Sequence, residues 1–141
     1  MRYFLIAAIA LISGCAQQKP QSVEGALVRL SAVTGNPSAA YFTLNAGPVD
    51  DRLMSVSTPL AIRAEMHDMS MAGGMMKMVP LTDGVAVKAK STLTFASGGK
   101  HVMLFDVSPK VKPGSKMPLT LTFASGATLE AQADVKAAGQ E

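Results

Sequence analysis

Residues 91–135 decide the fold class, and they read STLTFASGGKHVMLFDVSPKVKPGSKMPLTLTFASGATLEAQADV. This stretch contains four short apolar runs, at residues 91–95, 101–106, 117–123 and 128–135. Turn residues separate the runs: Ser97-Gly98-Gly99, Lys112-Pro113-Gly114 and Ser125-Gly126. Glycine allows a positive φ and proline fixes a negative one, so these are places where the chain reverses. Because no run carries a 3.6-residue apolar stripe, the pattern predicts β-strands rather than helices.

The same pattern continues towards the N-terminus. Further strands are predicted at residues 26–32, 40–45, 52–57, 61–69, 75–79 and 85–88, with breaks at Thr34-Gly35-Asn36-Pro37 and Ala46-Gly47-Pro48. Many short strands at this spacing favour an all-β fold, an antiparallel sandwich of the immunoglobulin-like or cupredoxin-like type. The sequence has no internal repeat and no low-complexity segment.

The first 14 residues indicate an export signal rather than part of the fold. Arg2 precedes an apolar segment, residues 3–12, that is too short to remain in a bilayer as a helix. Ile12-Ser13-Gly14-Cys15 resembles the lipobox of bacterial lipoproteins, which predicts a lipidated Cys15. The alternative is an ordinary signal peptide that is cut nearby. We therefore expect a signal peptide at 1–14, a lipidated tether at 15–22 and one folded domain at 23–141.

This anchor predicts a location on the periplasmic side of the cell envelope. Gln17, rather than aspartate, lies second after Cys15, which favours the outer membrane if the source is Gram-negative. Lipidation also uses the only cysteine and leaves no thiol for a disulfide, a metal ligand or a nucleophile.

The charge distribution does not indicate a nucleic-acid partner. Without Arg2, 12 of the 13 basic residues remain against 10 acidic ones, a net charge of +2 that is spread along the chain. Few aromatic residues are available to stack on bases. The lysines at positions 100, 110, 112 and 116 are interpreted as a solvated face, and we expect a monomer.

Methionine and histidine are concentrated in one region. Six of the ten methionines lie within residues 66–78, namely Met66, Met69, Met71, Met75, Met76 and Met78. Packing explains any one of them, but Ser70-Met71-Ala72-Gly73-Gly74 is typical of a hairpin tip, where thioethers would meet water unless they serve a ligand or a partner. The only two histidines, His67 and His101, belong to this region and to a later predicted strand.

These side chains indicate a site for copper(I). Imidazole and thioether are soft donors that suit Cu(I) better than zinc, iron, calcium or magnesium. A thioether cannot be closed into a disulfide, so it persists in an oxidising compartment. Alternate residues of a strand share a face, so His101-Val102-Met103 presents two donors together. His67-Asp68-Met69 and Met76-Lys77-Met78 have the same spacing, so three pairs compete for four coordination places.

The motif His67, Met78 and His101-Val102-Met103 resembles that of the PCuAC-type periplasmic copper(I) chaperones. Further similar segments are Ala39-Ala40-Tyr41-Phe42-Thr43-Leu44-Asn45, Asp51-Arg52-Leu53, Ala64-Glu65-Met66-His67, Met75-Met76-Lys77-Met78 and Gly98-Gly99-Lys100-His101-Val102-Met103-Leu104. The resemblance covers nearly all of the domain. It implies a cupredoxin-like sandwich that binds one Cu(I) through His67, Met78, His101 and Met103.

The resemblance also implies a function and partners. Such proteins supply copper for cytochrome c oxidase assembly, so the expected partners are the copper-centre subunit of the oxidase, a Sco-type protein, or both. Two departures are visible. Asp68 stands where many members have glutamate, and the chain has no His- and Met-rich C-terminal tail, which argues against a copper(II) site there.

Several alternatives stay open. Met69 shares a strand face with His67 and competes with Met78 as a ligand. The remaining methionines of the region are either apolar cover for the metal or a docking surface, and Glu65 and Asp68 are solvated charges or partners of an imidazole.

Other functions can be weighed on the same residues. An enzyme is not expected, because no nucleophile and base pair is apparent. A blue-copper carrier would need a cysteine ligand. A copper-sequestering lipoprotein, which stores the ion, is the main alternative to a chaperone, and a structural envelope lipoprotein without metal is a third.

Overall fold

The structure is a computed structural model that describes residues 18–140. These residues form ten β-strands and no helix, which confirms the all-β prediction. The strands are β1 (Ser22–Arg29), β2 (Ser38–Asn45), β3 (Asp51–Ser57), β4 (Ala61–Ala72), β5 (Met75–Pro80), β6 (Val85–Val87), β7 (Thr92–Phe95), β8 (His101–Val107), β9 (Lys116–Phe123) and β10 (Thr128–Lys136). No helix of residues 18–140 could cross a membrane.

Each strand corresponds to a predicted one, and the largest difference in position is at β1. This strand spans Ser22–Arg29, whereas the apolar pattern predicts residues 26–32. Its first residues pair with β2 through backbone groups, and the register shifts between Glu24 and Leu27, where Gly25 has a φ of 60°. A bulge of this kind interrupts the alternation of side chains, so the polar start of the strand has no apolar signature.

The turn between β4 and β5 is shorter than predicted. β4 continues to Ala72 and β5 begins at Met75, so only Gly73 and Gly74 form the loop. Both have positive φ, 59° and 78°, which suits the two-residue turns that match the twist of a hairpin. Met71 therefore lies in a strand, and its predicted place in a hairpin tip is wrong.

Backbone pairing links nine strands in the order β5-β4-β8-β2-β1-β10-β9-β3-β6, and β7 pairs with the second half of β2. The sheet divides at β2, because residues 38–40 pair with β8 and residues 42–45 pair with β7. One pairing departs from the predicted antiparallel arrangement: β1 and β10 are parallel. They are the first and last strands, so no short hairpin connection constrains their direction.

One apolar core fills the space between the folded parts of the sheet. β9 shows the required alternation most clearly, because Met117, Leu119, Leu121 and Phe123 are buried while the residues between them are more exposed. Phe42 of β2 stacks on Phe95 of β7 with ring centroids 4.5 Å apart. Burial of each such side chain stabilises the fold by about 1.5–3 kcal/mol.

The second strand of the β4–β5 hairpin contributes nothing to this core. Every residue of β5 is exposed, whereas each of the other nine strands has at least one buried side chain. The last pair between β4 and β8 is His67 with His101. Beyond it, β4 pairs with β5 alone up to the pair Ala72 and Met75. We call this projecting two-stranded segment, residues 68–79, the arm.

Candidate metal centre

The two histidines lie directly opposite each other on neighbouring strands, at the base of the arm. His67 of β4 pairs with His101 of β8, and their ring centroids are 5.9 Å apart with an angle of 68° between the planes. Both side chains are shielded from solvent, since His101 is 8% exposed and the His67 side chain 12%. The strand register thus brings together two imidazoles that are far apart in the sequence.

A backbone carbonyl holds the ring of His101. Its Nδ1 lies 2.9 Å from the carbonyl oxygen of Gly99 and donates a hydrogen bond to it. In a neutral imidazole only one nitrogen carries a proton, so this bond assigns the proton to Nδ1 and leaves the Nε2 lone pair available. Gly99 belongs to the predicted break before β8. The turn that precedes this strand therefore also orients the His101 ring.

A carboxylate holds the ring of His67. Its Nε2 lies 3.1 Å from Oε2 of Glu65 and donates a hydrogen bond to it. In the neutral ring, Nδ1 therefore carries no proton. This Nδ1 is buried and has no hydrogen-bond partner. An unsatisfied buried polar atom costs about 1–3 kcal/mol, and a bound metal ion would remove that cost. Each ring thus has one anchored N–H and one free lone pair, as metal-ligating histidines do.

Glu65 is itself held in place. The Nε of Arg63 forms an ion pair with its second oxygen, Oε1, at 3.2 Å, and the guanidinium lies over the ring of Phe105 at 4.1 Å. Arg63, Glu65 and His67 alternate along β4 and share one face. Of the two roles considered for Glu65, the contact with His67 supports that of an imidazole partner. Sequence reasoning missed Arg63, although its two-residue spacing from Glu65 in a predicted strand was a usable signal.

Asp68 contacts a lysine instead of an imidazole. Its Oδ2 lies 3.1 Å from Nζ of Lys100, and both side chains are about one-third exposed. The pair joins the base of the arm to the residue that precedes β8. Lys110, Lys112 and Lys116 are exposed, as predicted for a solvated face, and Lys100 is partly exposed. Lys116 also has a partner, the carboxylate of Asp134.

The predicted methionine ligands lie on the same face as the histidines. Directly opposite residues of neighbouring strands share a face, as do residues two apart in one strand. Met69 pairs with Met78 in the next same-face position outward from His67, and Met103 follows His101 by two residues. The register thus places His67, Met78, His101 and Met103 on the outer face of β5-β4-β8, with Met69 among them and with Met103 on the side of the histidines away from the arm. It does not choose between Met69 and Met78.

The other methionines of the region divide between different surfaces. Met66 points away from the histidines and is buried in the core, 7% exposed. Met71 and Met76 form the next same-face pair outward from Met69 and Met78, and Met75 lies on the opposite face of the arm. Met66 is therefore explained by packing, whereas the exposed thioethers of the arm are not.

The donor set suits a soft, singly charged metal ion. It offers neutral imidazole nitrogen and neutral thioether sulfur, which are the ligands such ions prefer. Among residues 18–140, no group of three or more His, Cys, Asp or Glu side chains is arranged to hold a metal. Cys15, the predicted lipidation site, lies outside the described residues.

Comparison with known proteins identifies a family and a relative that this chain resembles. Residues 22–135 match the family model "Putative lipoprotein LpqE-like". A protein of Leifsonia xyli subsp. xyli named "Putative lipoprotein Lxx21020" is 27% identical over 148 residues, which covers 96% of this chain and 89% of the relative.

Solved structures show the same fold. The solution structure of Cu(I)-DR1885 from Deinococcus radiodurans is 35% identical, with a TM-score of 0.64 over 86% of this chain and 81% of that one. The copper-bound PCuAC domain from PmoF2 has a TM-score of 0.67 at 21% identity and covers 85% of this chain and 95% of that domain. These likenesses confirm the cupredoxin-like sandwich. The chain therefore belongs to the LpqE-like family and has the fold of the PCuAC domains.

Proposed function

We propose that this protein is an extracytoplasmic copper(I) chaperone. In this proposal one Cu(I) is bound by His67, Met78, His101 and Met103, and the copper is supplied for the assembly of cytochrome c oxidase. The receiving protein is the copper-centre subunit of the oxidase or a Sco-type protein. A lipid on Cys15 holds the chaperone at the periplasmic side of the envelope, in the outer membrane if the cell is Gram-negative.

The buried, unpartnered Nδ1 of His67 is the observation that carries the proposal. It lies in a ring that is already oriented by Glu65 and that faces His101 on the neighbouring strand. Folding leaves a nitrogen lone pair without a protein partner there, on a face that also presents thioethers. A soft cation is the ligand that satisfies both kinds of donor. The Cu(I)-bound state named for DR1885, at 35% identity, supports the same ion.

A metal titration tests this site. The soluble domain from Gln18 onward contains all ten strands and the core. Titrated with Cu(I) against a competing chelator, it should bind one ion tightly and Zn(II) far more weakly. X-ray absorption should show nitrogen and sulfur around the copper. Met54→Leu, an exposed position on β3, is the control and should bind as the unmodified domain does. An all-oxygen shell, or equal affinity for zinc, would rule the site out.

Transfer separates delivery from storage. The copper-loaded protein, mixed with the apo copper-centre domain of an oxidase, should lose its metal to that domain. The expected reason is that exposed thioethers can be exchanged one at a time for ligands of the acceptor. If neither an oxidase domain nor a Sco-type acceptor takes the copper, the protein is instead a copper-sequestering lipoprotein that uses the same ligands.

A further inference from the structure

The arm carries a row of thioethers that neither the fold nor the proposed ligand set accounts for. Met71 and Met76, which are not in that set, are 65% and 51% exposed, and no residue of β5 contributes to the core. Exposed apolar side chains on an edge strand add nothing to stability and favour unwanted strand pairing. The pairing of Met71 with Met76 on the histidine face of the arm therefore indicates a ligand, whereas the exposed Met75 on the other face lies opposite an alanine.

The strand register arranges these side chains as a ladder. Outward from His67, the same face of the arm carries the pair Met69 and Met78, and then the pair Met71 and Met76. Successive pairs on one face are about 7 Å apart along the strand. A continuous series of soft donors thus runs from the two histidines towards the tip of the arm.

The backbone hydrogen-bond pattern places both methionine pairs at non-hydrogen-bonded positions of the ladder, where opposite side chains are closest. The amide of Leu81 donates to the carbonyl of Met66 at 2.8 Å, which marks this position as a hydrogen-bonded pair of the antiparallel ladder. Hydrogen-bonded and non-hydrogen-bonded pairs alternate, so Met69/Met78 and Met71/Met76 are of the second type. In such pairs the Cα atoms are only about 4.5 Å apart and the side chains approach more closely. Two thioethers can then bind one ion.

The charged residues of the arm lie on its other face. Asp68 and Lys77 alternate with the methionine ladder, and Asp68 is engaged by Lys100. A face with thioethers and no carboxylate offers nothing to Ca²⁺, Mg²⁺ or Zn²⁺ but suits a soft, singly charged ion.

We propose that Met71, Met76 and Met69 form a second, weaker Cu(I) site at the outer end of the arm, through which copper enters and leaves the inner centre. This inference rests on the proposed function, because the inner centre is the one bound by His67, Met78, His101 and Met103. Copper moves between the two by exchange of one thioether at a time, from Met71 and Met76 to Met69 and then to Met78. Methionine has flexible torsions that allow such movement. No bond is broken other than metal to ligand, and the copper stays Cu(I).

An Ag(I) titration tests the outer site. Ag(I) has the charge and softness of Cu(I) and resists oxidation. The domain from Gln18 onward, with isotope-labelled methionine methyl groups, is titrated and followed by NMR. The first equivalent should shift the methyl signals of Met78 and Met103, and the second those of Met71 and Met76.

The double variant Met71→Leu/Met76→Leu keeps apolar side chains on the arm but removes two sulfur atoms. Binding should fall from about two equivalents to about one, and transfer of copper to a chelator should become about tenfold slower. Met75→Leu, on the opposite face of the arm, is the matched control and should change neither.

The outcomes separate the two proposals. If the double variant still binds a second equivalent, or transfers copper at the unmodified rate, the outer site is wrong and the arm is at most an apolar docking surface. If the first equivalent leaves Met78 and Met103 unshifted, the inner centre itself is wrong, whatever happens at the outer pair.

Discussion

At the scale of single residues, the two candidate ligands His67 and His101 are oriented by different means. A backbone carbonyl holds His101, and no side-chain substitution can remove it. A carboxylate holds His67, and Arg63 holds that carboxylate. The position of His67 therefore depends on side chains that mutation can change.

Removal of the Glu65 carboxylate should weaken copper binding without loss of a ligand. Glu65→Ala removes the hydrogen bond that orients the His67 ring and fixes its tautomer. Loss of such a partner typically lowers metal affinity about 10–100-fold. We therefore expect the Cu(I) affinity to decrease about tenfold. Competition with a Cu(I) chelator measures it. Asp68→Ala, which removes a carboxylate next to the same histidine but from the opposite face, is the control. Equal loss in both variants would mean that general charge, not orientation, is responsible.

Acidity should separate the imidazole ligands from the thioethers. Imidazole binds metal only when neutral, so protons compete with the metal for its nitrogen, whereas a thioether has no proton to gain. Cu(I) affinity should thus decrease as the pH falls. His101→Ala should lower the affinity and flatten this dependence, while Met103→Ala should lower the affinity and preserve it. The same pH slope in both variants would contradict the assignment of His101 as a ligand.

The choice between Met69 and Met78 requires a direct comparison, because the two face each other across the arm. Met78→Ala should weaken binding of the first Cu(I) about as much as Met103→Ala does, and Met69→Ala should leave it nearly unchanged. Chelator competition on the three variants measures this. The reverse result would mean that the two His-x-Met strand pairs form the inner centre.

At the scale of structural elements, the fold depends on a close approach that only glycine allows. Gly84 precedes β6 with a φ of 74°, and a Cβ there would lie 2.4 Å from the carbonyl oxygen of Leu53 on β3. β3 pairs with β6 at the edge of the sheet. A side chain at this position must therefore push two paired strands apart.

Gly84→Ala should destabilise the domain much more than a substitution at an open glycine. Gly126 has a φ of 89° and open space around its Cα. Gly126→Ala should therefore lower the free energy of unfolding only by the strain of an alanine in a left-handed conformation, about 1 kcal/mol. Gly84→Ala should cost about 3 kcal/mol, because the backbone must also shift. Denaturant unfolding measures both. Equal costs would show that the contact with Leu53 is relieved without strain.

At the scale of the whole molecule, the apolar core and the candidate metal centre occupy different parts of the domain. The core encloses the side chains that stabilise the fold, and the candidate centre lies on the outer face of the sheet at the base of the arm. The arm projects beyond β8. Copper can thus be exchanged at the surface without disturbance of the core.

Membrane attachment should depend on Cys15 alone. The full-length protein, expressed in a Gram-negative host, should partition into detergent, and Cys15→Ala should abolish this behaviour because no thiol remains for the lipid. Phase partition followed by immunoblotting measures it. A Cys15→Ala protein that stays with the membrane would mean that the apolar segment at residues 3–12 is the anchor.

The sequence alone determined the strands and the chemical type of the site. Period-two alternation and turn residues are local signals, and each of the ten predicted strands is present. Nine of them show a buried face within a few residues, whereas β5 has none. The donor types were equally local, since imidazole and thioether are visible without a fold. The family resemblance placed four of these donors in one motif.

The tertiary structure decided what depends on pairing between distant strands. The parallel pair of β1 and β10, the position of His67 opposite His101 and the support of Glu65 by Arg63 all follow from register, because one residue of slip would turn each side chain to the other face of the sheet. The thioether ladder of the arm has the same origin. Sequence spacing showed which methionines share a strand, but only the register of β4 with β5 placed Met71 opposite Met76 and in line with the two histidines.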